Sequence, residues 1–166
     1  MLRVDPESAQ CLPLEGRLAH AEALDLLLGW AQLTVGVFDF DLLDTGWNSP
    51  RRIAVLSAYF QRSRNARLEI FLRDASRINL HLPRLLALLR THGHACRILE
   101  VGEEAQAVYD PFAIVDNRHY WHRFHYAQPR GELGVQQPAY AAELARRLRE
   151  IKEVSVPAAS PTILGL

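Results

Sequence analysis

Val108-Tyr109-Asp110-Pro111-Phe112-Ala113-Ile114-Val115-Asp116-Asn117-Arg118-His119-Tyr120-Trp121-His122-Arg123-Phe124-His125-Tyr126 is the most informative run of this 166-residue chain. Phe112 to Val115 is apolar and of strand length, and Asp116-Asn117 is turn chemistry. From Tyr120 onward the side chains alternate. Tyr120, His122, Phe124 and Tyr126 share one face of an extended strand; His119, Trp121, Arg123 and His125 share the other. The run therefore reads as two short strands around a turn, and it holds three of the seven histidines.

Working outward, helical and strand periods alternate. Leu18 to Ala31 is helical, with Leu24, Leu27, Leu28 and Ala31 on one face. Leu33 to Phe40 is a buried strand. Ser49-Pro50 is a cap followed by a first-turn proline, opening a helix that turns Ile53, Leu56, Tyr59 and Phe60 inward. Arg67 to Arg73 alternates as a strand, with Leu68, Ile70 and Leu72 against Glu69 and Phe71. Pro83 starts a helix that stops at Gly93, and His94 to Val101 is a third strand. Pro138 opens the last long helix, whose stripe is Tyr140, Leu144, Leu148 and Ile151. This order predicts an α/β layered sandwich: a mixed, mostly parallel sheet flanked by helices. Residues 1–15 read as a flexible N-terminal arm, 16–153 as a single α/β domain, and 154–166 as a tail whose apolar end, Ile163 to Leu166, is suited to docking on the body.

The composition narrows the function classes. About half the residues are apolar (49%), enough for one sizeable core. The 19 basic and 19 acidic residues cancel, which argues against nucleic acid and membrane partners. Met1 to Pro13 lacks the apolar core of a signal peptide and no run approaches membrane-spanning length, so a cytoplasmic protein is expected. Cys11 and Cys96 suggest neither a disulfide nor a metal pattern. Arg51-Arg52, Arg62, Arg64 and Arg67, and Arg146, Arg147 and Arg149 are the basic clusters. In the last, Glu143 with Arg147 and Arg146 with Glu150 lie at i, i+4 and predict a solvated, paired face. On an extended strand His119 and His125 stand about 20 Å apart and His122 points the other way, so no shared metal ion and no cofactor are expected.

Two resemblances follow from these residues. A strand ending in Asp, a tight turn and a second strand resemble the signature region of the phospholipase D-like superfamily, which spaces His, one residue, Lys, four residues and Asp across the turn. Aligned on Asp116, the His position is Tyr109 and the Lys position is Pro111. The later Gly-Ser-x-Asn positions fall on Arg123, Phe124 and Tyr126. In the family the His attacks phosphorus and the Lys holds phosphate oxygens. A phenol, ionising near pH 10, is a poor nucleophile at neutral pH, and proline has no side-chain donor. The resemblance covers roughly Leu33 to Ile151 and implies one half of the usual two-half enzyme, with no catalytic residue. It is closest to an uncharacterised bacterial domain of that type, which ends in a similar Leu-Gly-Leu tail and sometimes follows an acetyltransferase domain.

What the resemblance implies is a non-catalytic binding or scaffold domain, a pseudoenzyme with an apolar, closed old site, forming a homodimer or meeting a protein partner through it. Arg123, replacing a glycine where phosphate would approach, either pairs with Asp116 or Asp39 and fills the pocket or binds an anion, with His119 and His125 as further anion-binding candidates. A phosphate-containing ligand is the chemistry such a site would take. A second expectation is a regulatory module for an acetyltransferase partner. The third comes from Phe38-Asp39-Phe40-Asp41-Leu42-Leu43-Asp44-Thr45, which resembles the nucleophile segment of haloacid-dehalogenase-type phosphatases. There Asp39 and Asp41 would serve a phosphodiesterase or phosphatase with a rearranged site, but the Gly-Thr after the second Asp is absent. The family's lysine has one candidate, Lys152, the sole lysine, in the last helix.

Overall fold

The Ser49 hydroxyl oxygen accepts from the Arg52 N–H at 3.1 Å, and Pro50 occupies the first turn of the helix that follows. This is the capped start that the Ser-Pro pair predicts. The computed structural model describes residues 1–158, and in it the helices are α1 (Arg17–Trp30), α2 (Pro50–Arg62), the one-turn α3 (Ile78–His81), α4 (Pro83–Thr91) and α5 (Pro138–Glu153). The strands are β1 (Gln10–Glu15), β2 (Thr34–Asp39), β3 (Arg67–Leu72), β4 (Cys96–Val101), β5 (Phe112–Val115), β6 (His119–His125), β7 (Gln128–Val135) and β8 (Ser155–Pro157).

All eight strands form one sheet in the order β1-β7-β6-β5-β2-β3-β4-β8. Helices α1, α2 and α4 cover one face, against Val35, Val37, Leu68, Ile70, Val115 and Trp121. Helix α5 covers the other, against Phe38, Phe71, Phe112, Ile114 and Tyr120. The mixed α/β sandwich is as expected, but its parallel part is smaller. Only β2-β3 and β3-β4 pair in parallel; the other five pairings are antiparallel. Parallel neighbours need a crossover: α2 joins β2 to β3 and α3 with α4 joins β3 to β4, whereas α1 and α5 connect strands that are not neighbours in the sheet.

One expectation fails at the start of the chain. Residues 1–15 are not a free arm: Gln10 to Glu15 pairs antiparallel with β7, register Leu12 to Leu133, and Leu14 is buried. Strand β7 itself was hidden in the sequence by Pro129, Gly131 and Gly134, residues that read as loop. The glycines are there for space. A Cβ at Gly131 would collide with the His122 carbonyl, and one at Gly134 with the Tyr120 ring. At the other end, Ser155 to Pro157 adds an edge strand to β4, so the tail's first part is sheet. The tail's apolar end lies outside the described residues. Cys11 and Cys96 are both free thiols, on β1 and β4. No helix among the described residues is long and apolar enough to cross a membrane.

Candidate functional site

The antiparallel pairing of β5 on β2 sets Phe112 opposite Phe38, so the start of β5 meets the C-terminal end of β2. The end of β6 joins them, since Phe112 also pairs with His122. Residues from four separate segments therefore meet at one end of the sheet: Asp39 to Asp44, Arg73, Gln106 to Pro111, and Arg123 to Tyr126. Such a strand-end location is where open α/β sheets place ligands.

An aromatic stack forms the surface there. The Phe40 and Tyr126 rings lie 4.8 Å apart at 11°, Tyr126 and His125 5.1 Å apart at 20°, and His125 and Tyr109 5.6 Å apart at 8°. The Arg73 guanidinium lies 4.9 Å over Tyr109 and 5.3 Å over Phe40, a cation–π arrangement. Its Nε and Nη2 donate to Gln106 Oε1 at 3.3 and 3.1 Å, which fixes the plane. Tyr109 is 45% exposed and Phe124 is 52% exposed. This end is aromatic and open to solvent, where a closed site was expected.

Arg123 goes inward instead. It is 3% exposed, with Nη1 donating to Asp44 Oδ2 at 2.7 Å and Nε to the Gln128 carbonyl at 3.1 Å. Its partner is Asp44 rather than Asp116 or Asp39, and Asp44 also takes Arg17 at 2.8 Å. The segment following β2 turns back over the sheet end and brings Asp44 to the guanidinium. Asp39 is buried nearby, accepting from the Phe40 N–H at 2.6 Å. Burial raises its carboxyl to about 7, against the lowering effect of that hydrogen bond, and the Asp41 charge adds to the rise. Asp41 accepts from the Leu43 N–H at 3.0 Å. Among the described residues no group of three or more His, Cys, Asp or Glu side chains is placed to hold a metal ion.

Asp116 and His119 belong to the other end of the hairpin. Asp116 and Asn117 both take positive φ, 51° and 57°, and Val115 accepts from the Arg118 N–H at 3.2 Å. The Asp116 carboxylate accepts from the N–H groups of Gln32, Leu33 and Thr34 at 2.8, 2.8 and 2.9 Å. It is a structural clamp between the turn and the α1–β2 loop. His119 is buried, its Nδ1 accepting from the Gln136 N–H at 3.1 Å, and burial lowers its pKa. Six residues of strand put it about 20 Å from His125. It takes no part in a site with Arg123.

A fourth arrangement lies on the α5 side of the same sheet end. His122 Nδ1 is 2.8 Å from the Tyr140 hydroxyl, and Nε2 is 2.8 Å from Asp110 Oδ2. The Arg147 guanidinium donates to both Asp110 oxygens, at 2.7 and 2.8 Å. Burial opposes the Asp110 charge, but hydrogen bonds from His122 and Arg147 outweigh it and hold the carboxyl well below the usual range. Arg147 thus serves Asp110 and not Glu143, whereas Arg146 and Glu150 do pair, at 2.6 Å. The chain Tyr140–His122–Asp110–Arg147 ties α5 to the hairpin. Its signal in the sequence was the face shared by Tyr120, His122 and Phe124, which holds as far as the irregular pairing between Arg123 and His125. Arg73 and Gln106 carried no local signal, and Phe40 and Asp44 stood out only as members of the Phe38 to Thr45 segment, because their partners are delivered by the crossovers.

The helix-flanked mixed sheet has a phospholipase D-like fold, as its likeness to solved structures shows. Over 91% of the chain it superposes on Nuc from Salmonella typhimurium, a phospholipase D family member, with a TM-score of 0.61, 12% identity and 97% of that chain covered. NucT from Helicobacter pylori gives a TM-score of 0.60 at 12% identity, covering 91% of this chain and 100% of that one. TrmBL2, an archaeal chromatin protein with a novel mode of DNA binding, gives 0.67 at 10% identity over 90% of this chain and 54% of that one. The chain spans about half the length of TrmBL2. These identities carry the fold and nothing of activity. Within that fold the chain belongs to the domain of unknown function DUF7931, whose family model matches residues 17–160. No curated protein sequence matches it.

Proposed function

We propose that this chain is a non-catalytic phospholipase D-like domain whose aromatic sheet end binds a second copy of itself. The observation that carries this reading is the fate of Arg123. The guanidinium at the position where the resemblance puts an approaching phosphate is buried and neutralised by Asp44. Tyr109 and Pro111, at the family's nucleophile and lysine positions in that register, supply neither group. What the end offers instead is area: exposed Tyr109 and Phe124 beside stacked His125 and Tyr126. Aromatic residues at the centre of a patch are the ones that dominate association energies.

Light scattering across a concentration series tests it. The wild-type chain is expected to be a dimer and the Tyr109→Asp, Phe124→Asp variant a monomer with an unchanged circular dichroism spectrum. A wild-type monomer at high concentration overturns the self-association. Turnover of an aryl phosphodiester with Mn²⁺, lost in Asp39→Asn, would overturn the non-catalytic reading and favour a rearranged phosphodiesterase.

A further inference from the structure

Away from the aromatic end, a cleft of about 230 Å³ opens between α5 and the sheet, beside the first residues of β2 and β3. A single helix covers this face, so part of the groove between helix and strands stays open. Phe71 and Ile114 line it from the strands and Leu148 from α5. Leu148 packs onto Gly36, where any Cβ would collide with its Cδ2. A side chain at residue 36 would take the space that Leu148 fills beside the cleft.

The polar lining is cationic. Arg67, Arg149 and Lys152 border the cleft with Glu69 as the one carboxylate among its lining residues. Glu69 is already shared: Lys152 lies 2.9 Å from its Oε2, and Arg97, from the adjoining groove, bonds the same oxygen. Hydrogen bonds from Lys152 and Arg97 outweigh the burial that opposes its charge, so it stays ionised. Arg67 and Arg149 make no ion pair among the described residues; Arg67 Nη1 donates to the Ala66 carbonyl at 2.8 Å. Asn117 adds a neutral amide at the rim. Apolar walls with a few converging polar groups are the ordinary make-up of a ligand site. The excess of positive charge selects the sign of the ligand.

We infer that this cleft binds a small amphiphilic anion, a carboxylate or phosphate monoester bearing a short apolar group. The head meets Arg67 and Arg149, and the apolar part lies over Phe71, Ile114 and Leu148. The volume, below the ~300–1,000 Å³ of pockets for drug-sized ligands, restricts the ligand to something small. The site is at the far end of β2 and β3 from the aromatic stack and does not depend on the reading of that stack.

Titration of the full chain with hexanoate, butyl phosphate, inorganic phosphate and hexylamine tests the inference, read as amide shifts of Gly36 and Asn117 and as the thermal midpoint. One or both amphiphilic anions move both amide signals and raise the midpoint. The stronger of the two identifies the head group. Inorganic phosphate binds more weakly and hexylamine not at all. Arg149→Ala and Arg67→Ala, at exposed positions, each weaken binding about tenfold; Tyr109→Ala leaves it unchanged. Amide signals of Gly36 and Asn117 that respond to neither anion, or full affinity in the double arginine variant, overturn the inference.

Discussion

The two ends of the β5–β6 hairpin carry similar residues and do opposite things. At the turn end, Asp116 and His119 are consumed by backbone: three N–H groups on the carboxylate, one on the imidazole. At the open end, Tyr109, Phe124 and His125 face solvent, while Arg123 is buried and held by a side chain from a distant segment. Polar residues of the same type thus mark a structural clamp in one place and a surface in the other. Residue type does not separate the two. His119 and His125 each accept one backbone N–H at 3.1 Å, and what separates them is burial: His119 is packed inside and His125 stands at the surface.

Breaking the clamp gives the largest expected effect. Asp116→Ala leaves three backbone donors without their acceptor, and a loss of about 3 kcal/mol in urea unfolding is expected, since a charge-assisted hydrogen bond contributes ~1.5–3 kcal/mol. A change under ~0.5 kcal/mol, the level of an ordinary surface substitution, would refute the clamp.

The open end answers next through Asp110. Its carboxyl is held low in the folded state, so the unfolded state binds the proton first as pH falls. The stabilisation is complete above the unfolded value, near 3.8, and fades as pH drops toward the lower folded value. Asp110→Asn is therefore expected to cost about 2 kcal/mol at pH 7, the loss of charge-assisted bonds to Arg147, with the difference shrinking below pH 4. An equal cost at pH 3 and pH 7 would assign the loss to shape and not charge.

The Asp39 effect is read as a slope with pH, and its sign is reversed. The folded state keeps a proton up to about 7 that the unfolded chain releases near 3.8. Stability contributed by this group falls as pH rises between those values and is level above them. Asp39→Asn, which mimics the protonated form, should flatten that slope and make the variant relatively more stable at pH 8 than at pH 5. Parallel wild-type and variant curves would show that Asp39 does not titrate in this window.

Much of the fold was legible because it rests on local periods. The helix starts at Pro50, Pro83 and Pro138, the strands β2 to β6 and the Asp116-Asn117 turn all follow from apolar spacing and backbone preference. The strand β7 was not legible, since its glycines are explained only by what approaches them, the His122 carbonyl and the Tyr120 ring. Nor was β1, whose pairing partner lies more than a hundred residues away.

The candidate site divides in the same way. The sequence by itself placed Asp116 at the turn of a hairpin, and the alternation of β6 set His122 apart from Arg123. Only the tertiary structure paired Arg123 with Asp44, stacked Phe40 on Tyr126, and closed the chain from Tyr140 through His122 and Asp110 to Arg147. Local spacing is written into backbone geometry, residue by residue. A partner delivered by a crossover or a helix packed across the sheet is decided by how whole elements dock, and no short stretch of sequence carries that.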